Sequence, residues 1–157
     1  MKAGYNCGTE GEVALSAATT KTVLGVKAHA NSGLDLICVR IHALASGTSA
    51  PGFEPILVEV MYATWATNSP GTNSTSTTPR QAYGRVLTAG FTSGKTWTTE
   101  PTTLTPIDEF MCHPQTGWVE WKPYGSTPDS ALAEGFVIRC NSDNALSVRA
   151  SALVERI

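Results

Sequence analysis

The sequence predicts an all-β chain: a two-sheet antiparallel sandwich, jelly-roll-like, with a flexible N-terminal arm and one long polar loop. Three observations predict it. Apolar and polar residues alternate with period two, as near the end of the chain, where Leu146, Val148, Ala150, Ala152 and Val154 share one face. Turn-forming Gly, Pro, Asn and Ser interrupt the apolar segments about every ten residues. Only residues 129–134 (DSALAE) read as a helical turn, with Asp129 or Ser130 as N-cap.

The elements follow in order. Residues 1–11 hold three glycines and little apolar content, and predict the flexible arm. Strands are expected at 12–17, 20–28 (TKTVLGVKA), Leu34–Leu44 (LDLICVRIHAL) and 56–65 (ILVEVMYATW). In the last of these Ile56, Val58, Val60 and Tyr62 share one face, and Leu57, Glu59, Met61 and Ala63 the other, so both faces are candidates for cover. Asn31-Ser32-Gly33 and residues 46–55 (SGTSAPGFEP) are turns between strands. Residues 66–82 (ATNSPGTNSTSTTPRQA) form the long polar loop, too long for an ordinary hairpin connection. Further strands are expected at 84–89, 95–99, 105–112, 116–121, 135–140 (GFVIRC) and 146–155, with a turn-rich connection at 122–130. These ten candidate segments are expected to yield eight or nine strands in a single domain spanning 1–157.

At 157 residues the chain suits one domain, and such a chain buries roughly 70% of its unfolded surface without needing a metal or disulfide. Charged residues make up 15%, against about 25% in ordinary domains. The net charge is −2, and Arg80 with Arg85 is the nearest approach to a basic patch, which argues against direct nucleic-acid binding. No segment approaches the ~20 apolar residues of a membrane span. Residues 1–8 lack the apolar region of a secretory signal, so synthesis and folding in a cytoplasm are expected. Cys7, Cys38, Cys112 and Cys140 are scattered, without a C-x-x-C pair, and read as free core thiols.

The chemical motifs mostly dissolve on inspection. Residues 89–96 (AGFTSGKT) satisfy a relaxed phosphate-loop pattern, but the following TTEPTT run is β-branched and broken by proline, where a helix is needed to hold phosphates. A hairpin turn at Ser93-Gly94 is the expected reading. His29, His42 and His113 have no metal-ligand spacing, and Cys112 beside His113 has no orienting partner in sequence. Asp108 and Glu109 would point to opposite faces of a strand. Asp35 and Glu59 read as solvent-facing strand charges. Trp118 and Trp121, three apart, also fall on opposite faces, which favours core or interface packing over a sugar-stacking platform. Asn73-Ser74-Thr75 matches a glycosylation acceptor that has no meaning without secretion. No nucleophile elbow is present. The chain is expected to be non-enzymatic, with no catalytic residues, no cofactor and no metal.

Residues 20–36 (TKTVLGVKAHANSGLDL), 57–85 (LVEVMYATWATNSPGTNSTSTTPRQAYGR) and 95–102 (KTWTTEPT), with EGFVIRC and VRASALVER near the end, resemble small β-rich virion structural proteins of tailed bacteriophages, of the capsid decoration or cement type. The resemblance implies a homo-oligomer, with a trimer favoured, bound through the major capsid protein to the outer surface of a virion capsid. It carries over no catalytic residue. For such a role the arms 1–11 and 66–82 are candidate attachments. Tyr5 in the first and Trp65 and Tyr83 flanking the second are candidate anchors, with Asn73, Arg80 and Arg85 as polar contacts. Deleting residues 1–11 is expected to spare the fold and weaken capsid binding. The alternative is a carbohydrate-binding or host-attachment module at a fibre or spike tip. A cupin-type enzyme on the same architecture would need clustered His and Glu ligands that the spacing does not supply.

Overall fold

The computed structural model describes residues 3–44 and 52–157. Within them the chain is all strand and turn, without a helix. The order is β1 (Ala3–Gly8), β2 (Val13–Leu15), β3 (Lys21–Lys27), β4 (Leu34–Leu44), β5 (Ile56–Ala63), β6 (Thr75–Thr77), β7 (Arg80–Tyr83), β8 (Thr92–Lys95), β9 (Leu104–Cys112), β10 (Trp118–Trp121), β11 (Asp129–Ser130), β12 (Gly135–Asn141) and β13 (Leu146–Arg156). Sheet A runs β10-β4-β13-β1-β7, with β11 beside β4 and β2 beside β13. Sheet B runs β6-β8-β3-β12-β5-β9. Every pairing is antiparallel, so the predicted two-sheet sandwich is the architecture observed.

Inward residues of both sheets form one core. Tyr5, Leu36, Ile41 and Val154 come from sheet A, and Leu24 and Val60 from sheet B. Period-two alternation puts them there, since each strand offers every second side chain to the opposite sheet. All four cysteines are buried and unpaired, as the apolar strands around them require. Burial pushes the Cys7 thiol up to about 12 and the Cys112 thiol up to about 11.

Several expectations are corrected. No flexible arm exists over residues 3–8: they are β1, held between β13 and β7. Ala3, Tyr5 and Cys7 are all buried, so even this glycine-rich segment alternates with the core. Met1 and Lys2 lie outside the described residues. Of the turn at 46–55, residues 46–51 also lie outside them. The polar loop carries β6 and most of β7. Residues 84–89 form no strand. Ser93-Gly94 is the middle of β8, not a hairpin turn, because Gly94 lets β8 lie between β6 and β3 under Pro70 and Ser74. Residues 129–134 give the short β11 and turns in place of a helical turn, as Ser130 accepts the Leu34 N–H at 3.1 Å. Asp35 is buried, and Glu59 faces Arg139 at 3.4 Å.

Candidate functional site

Three surfaces matter. The first is the cover over sheet B. Trp65, turned by a φ of 57°, lays its indole along Trp97, with ring centroids 6.2 Å apart and planes 18° off parallel. The pair sits on Gly25, with Ala63, Val137 and Leu104 around it. Trp97 donates its indole N–H to the Asn68 carbonyl at 2.7 Å. Asn73 donates to the Asn68 side chain at 2.7 Å, and its own carbonyl accepts the Thr98 N–H at 2.8 Å. The first half of the polar loop is therefore fastened to its own sheet.

The second surface is a flank. β9 and β10 are the outer strands of their sheets. They lie on the same side of the sandwich, since the Phe110 and Trp118 rings are 5.7 Å apart. Met111, Trp118, Val119 and Trp121 are each about half exposed there. Lys122 closes the gap between the sheets, donating to Asp108 at 2.7 Å and to Glu120 at 2.5 Å. The Lys122 hydrogen bond is the chief reason that the Asp108 carboxyl is held below the usual range. The opposite flank is bounded by β7 and β6, with Tyr83, Val86 and Leu87 exposed. Tyr83 donates to Glu155 at 2.6 Å, and desolvation together with that carboxylate holds the phenol well above its ordinary range.

The third surface is a groove of about 470 Å³ on the outer face of sheet A, with Arg40, His42, Arg80 and Arg149 among its lining residues.

The six predicted contact residues meet different fates. Tyr5 cannot meet a partner: it is 1% exposed, stacks edge-on against Phe91 and donates to the Leu87 carbonyl at 3.0 Å. Trp65 is likewise buried and anchors its own loop. Asn73 is exposed but spends its amide on that loop. Arg80 joins the groove, Tyr83 joins the β7 flank, and Arg85 is exposed beside it with its carbonyl taken by the Gln81 amide. Sequence reasoning missed Arg40 and Arg149. Their signal was the outward phase of β4 and β13, where Arg40 and His42, two apart, lie across from Ser151 and Arg149.

Among the described residues no group of three or more His, Cys, Asp or Glu is placed to hold a metal ion. Among them, too, no helix is long and apolar enough to cross a membrane. No family model matches the chain, and no curated protein or solved structure matches it.

Proposed function

We propose that the chain is a non-enzymatic virion structural protein that docks on the outside of a tailed-phage capsid as a homo-oligomer, touching the major capsid protein. The observation that carries this reading is the pair of unlike open flanks. One presents Trp118, Val119 and Trp121 on the outer strand β10, the other Tyr83, Val86 and Leu87 at the end of β7. Exposed aromatic and apolar groups in such number mark contact surfaces. Two different patches on opposite sides suit a head-to-tail contact, which closes into a ring when the rotation permits, a trimer in this reading. We also infer a jelly-roll order. It is supported by the neighbours β10-β4-β13-β1 and β3-β12-β5-β9, and by the change of sheet at nearly every connection between these strands. The resemblance of residues 20–36 and 57–85 to virion proteins supplies the lattice.

The test is the mass of the assembly in solution together with co-sedimentation with capsids built from the major capsid protein of the source virus. The native protein is expected as a trimer that pellets with capsids. Trp118→Glu combined with Trp121→Glu is expected to give folded monomers that stay in the supernatant. A monomeric native protein that ignores capsids refutes the reading. A second reading, a carbohydrate-binding or host-attachment module, is favoured by the groove on sheet A.

A further inference from the structure

Gly8, Ser151 and Arg40 stand side by side across β1, β13 and β4, in register. Two of these three are small, so the outer face of sheet A sinks between taller neighbours. The rim of the resulting groove carries Arg40, Arg80, Arg149 and His42, against Glu10 as the one carboxylate in the lining. Glu10 already accepts the Thr78 N–H at 3.0 Å. Among the described residues the ion pairs engage Lys122 and Arg139, and none of the groove's arginines. Arg40 reaches the Asn6 side chain at 3.4 Å, the neighbouring Cys38 thiol and the Trp121 ring at 5.8 Å, none of them an anion.

Three guanidiniums around one dent, on a chain of net charge −2, are a concentration that folding does not call for, because like charges repel in the unliganded state. A guanidinium is the side chain best shaped to hold a carboxylate or sulfate through paired N–H donors. The rest of the lining is hydroxyl and amide, from Asn6, Thr9, Thr78 and Ser151, with no apolar side chain larger than Ala150. An extended peptide would want an apolar pocket beside a strand edge, and although the edge strand β7 borders the groove, no apolar pocket lies beside it. Single-stranded nucleic acid would want aromatic side chains for its bases, and none lines it.

We propose that this groove binds an acidic oligosaccharide, its carboxylate or sulfate groups on the arginines and its ring hydroxyls on the amide and hydroxyl side chains. The inference deepens the host-attachment reading, on which it rests, and is independent of capsid docking.

Titration calorimetry of the full chain tests it with four probes: an oligogalacturonate, a sulfated heparin hexasaccharide, neutral maltohexaose and poly-L-glutamate. One of the two acidic sugars is expected to bind, and which one separates carboxylate from sulfate. It is expected to bind about tenfold or more tighter than poly-L-glutamate, the gain of a well-placed charged hydrogen bond over bare charge. Gly8→Val is the decisive variant. A Cβ at Gly8 meets nothing closer than 3.7 Å, so the backbone there has room for a side chain to begin, while the added bulk raises the floor and leaves all three arginines in place. It is expected to weaken sugar binding about tenfold or more, with the melting temperature retained. If it melts early, Arg80→Gln with Arg149→Gln replaces it, with the same loss expected. Unchanged binding in the stable variant, equal binding of poly-L-glutamate, or no binding of either acidic sugar overturns the proposal. Binding of maltohexaose alone also overturns it but leaves the attachment reading standing. Co-sedimentation of the same variants with capsids reports on docking separately.

Discussion

Gly25 lies beneath two indoles. A Cβ built there would come within 2.7 Å of both Trp65 and Trp97, so the stacked pair depends on the bare backbone of β3. Gly25→Ala is expected to lower stability by about 1–3 kcal/mol, the usual cost of overpacking a fitted site. Chemical denaturation followed by tryptophan fluorescence checks this, and a variant as stable as the native protein would show that the pair shifts freely. The same spot shows how far the residues could be read from the sequence. Trp65 reads as a partner anchor because it flanks a polar loop, yet it is buried against Trp97. What it anchors is its own chain, because alternation tells which residues share a face but not what covers that face. Met61 and Ala63 were legible as coverable on those grounds, whereas Trp97, distant in sequence, carried no mark of being their cover.

At the level of strands, β4 is read to the residue, and β3, β5, β9, β12 and β13 to within two residues at each end, because all of these but the mostly polar β9 carry apolar runs bounded by turn residues. β1 was hidden by its glycines. Gly4 and Gly8 fall on the outward phase, so the inward Ala3, Tyr5 and Cys7 were too few to outweigh a composition that looks mobile. β6 and β7 were hidden because their partners, β8 and β1, supply the pairing that polar residues do not advertise. Deletion of residues 1–8 is therefore expected to abolish the cooperative thermal transition seen by circular dichroism, since it strips β13 and β7 of a shared neighbour. A truncated protein with a native melting curve would contradict the central place of β1.

Lys122 couples β9 to β10. Its side chain is 9% exposed and meets two carboxylates. Lys122→Met is expected to cost about 1–3 kcal/mol near neutral pH, by removing charged hydrogen bonds. The pH dependence has a definite sign. The folded pKa of Asp108 lies below its unfolded value, so its contribution is complete above that unfolded value and fades as pH falls through the folded one. Burial alone would lower Lys122, but the bonds to Asp108 and Glu120 raise it on balance, so its contribution fades only as pH rises through that raised value. The gap between native protein and variant should narrow below about pH 4 and again above about pH 10.4. Urea titrations across that range check it, and a constant gap from acid to neutral pH would exclude the assigned role.

Across the whole molecule, charge is segregated. A chain of net charge −2 gathers three arginines on one face and leaves aromatic groups on its flanks. The class of fold was legible because strand period and turn spacing are local properties. The groove was not, because Gly8, Arg40, Arg80 and Arg149 meet only once β1, β4, β7 and β13 are laid side by side. The same distant pairings govern kinetics. β1 pairs with β13 and β3 with β12, so most sheet contacts join far-apart segments. Refolding is expected in roughly milliseconds to seconds, as for other sandwiches of non-local topology. Stopped-flow fluorescence measures it, and complete recovery within microseconds would refute the expectation.

β12 and β13, which follow all the other strands described in chain order, occupy the middle of their respective sheets. Until these two strands have left the ribosome, neither half of the body has its spine. A message cut short, or a premature stop before residue 146, yields material for proteases. Synthesis through β13 thus acts as an inspection step on the fold itself.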